Sequence, residues 1–434
     1  MSRDRTRLVR TRRTWRGIAG AVTAIVLVGG GFAVANASTD TGTAKSAAGV
    51  KRPVDKKATG TAAVVSAANE FLNTLDADQQ ASTLLDLTQA NATAWSNLPC
   101  GSSCRPGIQL GSLTDTQLVA AMKVLKLATG TGKNTGYDQI TQIIKADDVL
   151  NSAQSTSSAG PAPSDTASST ASADPSATAT ATDTATATPT STATDAPTDV
   201  PTGTPPSGGT GGGGLGGYGS GVYFLAFLGT PSATGTWQLH FGGHHLALNL
   251  TYKNGKVAGA SPFFVGVEPT TWTDDDGTTY SPLATMRDGL LALTGSLSTE
   301  QLATAKLSES FSDVLLGPGQ DGQFPETKEG IKVSTLSPKQ KQLVLKAIHP
   351  WIANVDDATA KKLMKTYEHE LNQTYVAYSG TTALDTQGDY VRIDGPGVWV
   401  EFVCQNGVVY RDQIHYHTVY RDHTRDYGSE FTFS

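Results

Sequence analysis

The residues best suited to chemistry in this chain are its histidines. All eight follow residue 239, and five fall in two short stretches. The first reads Leu239-His240-Phe241-Gly242-Gly243-His244-His245-Leu246, the second Ile414-His415-Tyr416-His417. Side chains on a strand alternate between faces, so His415 and His417 leave the same face and offer two imidazoles to one ion. His244 and His245 are direct neighbours and would point oppositely on a regular strand. One of them joins such a set readily, and a bend at Gly242-Gly243 would relax that limit. With Glu401 as an oxygen donor, His244, His245, His415 and His417 suit a divalent transition metal such as Zn, Fe, Mn or Cu.

Such an ion lowers the pKa of a bound water and makes hydrolysis the natural reaction class. Glu401 or Asp422 would then act as fourth ligand or general base, with Arg421 among the catalytic groups. Arg392 and His240 would contact substrate, the guanidinium taking an anionic group. Two other readings stay open: a metal-free polar site, or structural histidines with Arg421-Asp422 and Arg425-Asp426 as plain ion pairs. No H-E-x-x-H, paired C-x-x-C, G-x-S-x-G or phosphate-binding loop is present. His349, before Pro350, and His369, on a charged helix face, look incidental.

The elements that must position these groups are legible from periodicity. Val64, Val65, Ala68, Phe71, Leu72 and Leu75 recur at helical spacing, and Leu84, Leu85 and Leu87 suggest a second helical segment. Thr114-Asp115 opens a third helix, and Tyr137 to Leu150 forms a fourth. Strands follow: Trp237 to Phe241 and Leu246 to Leu250 alternate apolar and polar residues. Helices return over Leu297–Lys306, Ser337–Ile348 and Asp357–Leu371, and strands over Tyr390–Ile393, Val398–Val403 and Gln413–Tyr420. Helix and strand blocks segregate, so the expected class is α+β, a helical first part packed with a mainly antiparallel second part. No period of 20–50 residues appears, which excludes a solenoid.

Between residues 152 and 221 the composition turns to Thr, Ala, Ser, Pro and then Gly. Such a stretch cannot bury enough apolar area to offset its ordering entropy and should be a disordered insertion. The expected plan is a signal peptide or anchor at 1–37, a disordered lead-in at 38–59, a helical part at 60–151, the insertion, and a β-rich part at 222–434 of the same domain. Residues 1–37 hold seven of the 33 bases and one of the 39 acids, leaving 26 and 38. That acidic remainder argues against a nucleic-acid partner. The seven Arg precede an uncharged run ending Ala35-Asn36-Ala37, which fits export with cleavage after Ala37. The protein is therefore expected to be secreted or at the cell surface, touching membrane only if that segment stays attached. There Cys100 and Cys104 can close a short disulfide loop, while Cys404 reads as a buried free thiol.

A set of short pieces, taken in order, resembles the proteins of domain of unknown function 3500. They are Phe227-Leu228-Gly229-Thr230-Pro231, Trp237 with Gly242-Gly243-His244-His245-Leu246, Gly266-Val267-Glu268-Pro269 and Lys328-Glu329-Gly330. Gly395-Pro396, Trp399-Val400-Glu401-Phe402, His415-Tyr416-His417, Arg421-Asp422 and Asp426-Tyr427-Gly428 complete the set. His423 departs from the pattern, which has Pro after the Arg-Asp pair. The resemblance spans both parts and implies one folded unit with an insertion; it implies no reaction. Two functions remain in view: an exported metal-dependent hydrolase, or a non-catalytic envelope protein whose histidines bind a small ligand or brace the sheet.

Overall fold

The computed structural model describes residues 51–158 and 217–433. The export segment, most of the lead-in and most of the expected insertion lie outside the described residues. Before the insertion come α1 (Thr61–Leu72), α2 (Ala77–Thr83), β1 (Leu84–Leu85), α3 (Gln89–Ala92), β2 (Ile108–Gln109), α4 (Asp115–Ala128) and α5 (Gly136–Ser158). After it come β3 (Phe224–Leu228), β4 (Thr236–Gly243), β5 (Leu246–Lys253), β6 (Lys256–Gly259), β7 (Phe263–Val267) and a hairpin of β8 (Trp272–Thr273) and β9 (Thr279–Tyr280). The rest is α6 (Ala284–Thr294), α7 (Thr299–Ala305), β10 (Ile331–Lys332), α8 (Pro338–Ile352), α9 (Asp357–Glu370), β11 (Tyr375–Ser379), β12 (Tyr390–Asp394), β13 (Val398–Asn406) and β14 (Ile414–Asp422). The class is α+β. Among the described residues no helix is long and apolar enough to cross a membrane.

One sheet organises everything, in the order β1-β3-β4-β5-β7-β14-β13-β12-β11-β10. Its neighbours are antiparallel except β1 and β3, which run parallel. One face carries the main core: Leu239, Leu248, Val265, Tyr420 and Val400 pack against helix residues such as Phe71, Ile144, Leu290 and Trp351. The opposite face is covered by loops and a smaller core that includes Trp95, Phe264, Leu307, Val314 and Val419. Alternation along β14 therefore sends Tyr416 and Tyr420 to the helices, and His415, His417, Val419 and Arg421 to the loop-covered side.

The molecule is built twice. α1, α2, α4, α5 and β3, β4, β5, β7 recur in the same order as α6, α7, α8, α9 and β11, β12, β13, β14, with the sheet reading symmetrically about the β7–β14 pair. Detailed bonding repeats as well. Leu110 N donates to Tyr223 O at 2.8 Å, and Val333 N to Thr374 O at 2.8 Å, where β2 meets β3 and β10 meets β11. Gln117 and Gln340 each close a capping box at the start of α4 and α8. Each also donates through Nε2 to the partner glutamine of the neighbouring short helix, Gln79 or Gln301, at 2.7 Å.

Three sequence expectations change. The segment around Leu84 is not helical: α2 ends at Thr83, and Leu84 and Leu85 pair with Phe227 and Leu228. β3 and β7 were not expected, because both are buried at every position and show no alternation to read. The first part also reaches further than residue 151, with α5 continuing to Ser158.

Candidate metal centre

Two elements deliver the histidines and a third leaves room for them. β14 supplies His415 and His417 on the loop-covered face. The β4–β5 turn supplies His244 and His245, so the bend at Gly242-Gly243 is a hairpin end and both rings meet Asp147 of α5. β7 lies between them, with Gly266 directly opposite His417 and accepting no side chain. A Cβ at Gly266 would stand 2.6 Å from His245 Cδ2 and 2.9 Å from His417 Cδ2. The missing side chain is the space the two rings occupy.

Ligand atoms of His245, His415 and His417 lie within 4.8 Å of one another, and the three residues are 3%, 3% and 6% exposed. Each ring is oriented from behind. His245 Nδ1 lies 2.9 Å from Asp147 Oδ1, His417 Nδ1 lies 2.9 Å from Asp313 Oδ1, and His415 Nδ1 lies 3.2 Å from Asn406 O. Those oxygens accept, so each Nδ1 carries the hydrogen and each Nε2 is left with a lone pair. His415 Nε2 and His417 Nε2 then face each other at 2.8 Å. Two lone pairs repel at that distance unless a proton or a cation mediates. Outer-shell acceptors of this kind are what fix ligand histidines at metals.

The electrostatics match. Asp147, Asp313 and Glu268 surround the imidazoles, Glu268 Oε2 lying 4.0 Å from His415 Nδ1. Against them stands Arg105, which is buried, forms no ion pair with a carboxylate among the described residues, and falls to about 10 through burial. Burial would raise the Asp147 carboxyl, but His244 and His245 beside it hold it well below the ordinary range. Burial would also raise Asp313, and the His417 hydrogen bond and charge more than reverse it. Burial and then His417 and His245 push His415 down to about 2, so it stays neutral and ready to donate.

Loops hold the outer shell. Glu268 accepts from the amides of Val408, Val409 and Tyr410 at 3.0, 2.8 and 2.6 Å. Asp313 Oδ2 accepts from Asn97 at 3.0 Å, on the loop that leads into the Cys100–Cys104 disulfide. Arg105 donates to Ser96 O and Leu98 O of the same loop at 2.8 and 2.5 Å.

The remaining expected site residues are placed elsewhere. Glu401 accepts from Leu315 N, Leu316 N, Tyr390 Oη and Trp399 Nε1, and no histidine is among its partners. Arg421 is taken by Asp426, Asp321 and the carbonyl of Leu316. Asp422 faces the helices, bonded to Tyr367 at 2.6 Å and to Arg425 at 2.9 Å. Arg392 pairs with Glu329 at 2.9 Å and lies 5.1 Å from the Trp399 ring centre. His240 is buried beside Gln238 and Asn249, and burial takes it down to about 4.

Sequence reasoning missed Asp147 and Asp313, and gave Gly266 and Glu268, though part of one family piece, no role in the site. For Asp147 a signal existed: with Ile140, Ile143 and Ile144 it completes an i, i+3, i+4, i+7 stripe, so a carboxylate sits on the buried face of α5. Asp313 lies in a loop and carries no local signal.

No curated protein and no solved structure matches the chain. A family model described as protein of unknown function (DUF3500) matches residues 57–429, which takes in both halves of the sheet, the histidine hairpin and β14. The chain belongs to the DUF3500 family.

Proposed function

We propose that the protein is an exported metal-dependent hydrolase whose ion is bound by His245, His415 and His417 through Nε2. The observation that carries this is the facing pair of Nε2 atoms on His415 and His417, with each Nδ1 already committed to an oxygen. Three imidazoles are a donor set typical of catalytic zinc, and an ion held there would supply Lewis acidity for hydrolysis by lowering the pKa of water. Glu401, Asp422 and Arg421, engaged by their own partners, then hold the sheet and its covering loops together. The substrate is a small molecule or envelope component rather than a nucleic acid, given the acidic remainder of the chain. Export is supported by the Arg-rich leading segment and by the disulfide.

A second reading is a non-catalytic metal-binding protein of the envelope. The burial of all three histidines favours it. So does a groove lined by Thr131, His349, Asp357, Lys361, Met364 and Glu368, which shares no residue with the centre. Elemental analysis of zinc-loaded full-length protein should find one equivalent more than in a His415→Ala/His417→Ala variant. Equal metal in both would sink either reading. Zinc-dependent turnover of p-nitrophenyl acetate, lost in the variant, separates the hydrolase from the binder.

A further inference from the structure

Asp147, His244 and His245 form another group whose ligand atoms lie within 4.8 Å of one another. It shares His245 with the centre above. That ring has Nδ1 2.9 Å from Asp147 Oδ1, while its centre lies 5.5 and 6.0 Å from those of His415 and His417. One imidazole therefore stands between two groups of donors.

His244 supplies the independent observation. It is 5% exposed, and among the described residues neither ring nitrogen has a hydrogen-bond partner. Its Nδ1 lies 3.2 Å from Asp147 Oδ2 without the alignment of a hydrogen bond, and that oxygen already accepts from Tyr223 Oη at 2.6 Å. The ring is held by contacts, 4.6 Å from Tyr218 and 3.8 Å from His245 between ring centres. A buried imidazole whose Nε2 has no partner and whose Nδ1 has only a misaligned contact with a shared carboxylate is costly unless something absent from the protein chain occupies it. A carboxylate and two imidazoles select a borderline divalent cation over an alkali ion.

We infer that a second divalent cation binds at Asp147, His244 and Nδ1 of His245, with His245 bridging the two ions. The inference rests on the proposed first ion. On binding, His245 Nδ1 gives up the hydrogen it now donates to Asp147 Oδ1. That proton passes to solvent, the ring becomes an imidazolate, and Asp147 changes from acceptor to ligand. One proton is released for each second ion, and no redox change occurs.

Zinc(II) is the probe, with full-length protein dialysed to equilibrium against it and bound metal counted by elemental analysis. Two equivalents are expected in the wild type and one in His244→Ala. His244→Phe, which keeps a ring against Tyr218 and His245 but has no nitrogen, should also hold one, guarding against misfolding of the first variant. His415→Ala/His417→Ala should likewise fall to one. Calorimetry in two buffers of different ionisation enthalpy should find one proton released with the second equivalent. A single equivalent that survives both His244 changes overturns the second position. A single equivalent lost with His244 but kept without His415 and His417 overturns the first ion instead, and the bridge with it. Two equivalents without the extra proton overturn the bridge.

Discussion

At the scale of single residues the centre depends on groups that never touch the ion. Asp313 holds His417 through Nδ1 at 2.9 Å. Replacing it by Asn should weaken zinc binding about 10–100-fold, the usual cost of losing an outer-shell partner, as read by competition with a chromophoric chelator. Gly266→Ala should weaken zinc as well, since its Cβ would meet both His245 and His417 closer than 3 Å. Overpacking should also cost about 1–3 kcal/mol of stability, seen in denaturant unfolding. His240 governs a different property. Burial lowers it from 6.5 to about 4, so between those values the unfolded chain binds a proton that the native state refuses. Stability from this group is complete above pH 6.5 and is lost as the pH falls through 4, an effect of about 3 kcal/mol. A His240→Gln variant should show a flatter dependence in denaturant titrations across that window; an unchanged slope would refute the assignment.

Elements are joined by a device that appears once in each half. Gln117 accepts from Thr114 N at 2.9 Å and donates to Thr74 O at 3.0 Å. Gln340 accepts from Ser337 N at 2.9 Å and donates to Ser296 O at 2.8 Å. Each glutamine thus caps its own helix and ties down the chain leading to the preceding short one. Gln117→Ala and Gln340→Ala should each cost about 1–2 kcal/mol, by loss of a cap bond and an unpaired half-buried carbonyl. The two share no partner, so the double variant should lose the sum to within about 0.5 kcal/mol. Strong coupling in urea unfolding would show that the halves are not independent at these joints.

For the molecule as a whole, the sheet crosses the insertion. β1 and β2, before it, pair with β3, after it, and α1, α4 and α5 share one core with strands of the second part. Ser220 N also reaches back to Asp148 Oδ1 at 2.7 Å, so the chain resumes beside the helix it left. Replacing 159–216 by a short Gly/Ser linker should leave the fold intact. Loop closure scales with the logarithm of length, so the change should be about 2 kcal/mol or less. Protease cut within that stretch should yield two fragments that co-elute on gel filtration and separate only in denaturant. Fragments that part freely and remain folded would contradict the single shared sheet.

Local pattern by itself determined much of this protein. The periodicity around Phe71, the caps at Thr114 and Ser337, and the alternation of Trp237, Leu239 and Phe241 depend on neighbours in sequence, and those elements stand where they were expected. Two-residue spacing likewise put His415 and His417 on one face. What tertiary structure alone decided is which distant groups meet those rings. Asp147, Gly266 and Asp313 belong to a helix, a strand and a loop, and their proximity follows from sheet order rather than from spacing. Glu401 reads from the sequence as an oxygen donor to the same ion. Pairing geometry instead surrounds it with four donors from Leu315, Leu316, Tyr390 and Trp399. The twofold plan was invisible for a similar reason. Its repeat is far longer than any helical or solenoid period, and the 152–221 insertion interrupts only one copy, so the likeness survives in hydrogen-bonded positions rather than in a readable rhythm.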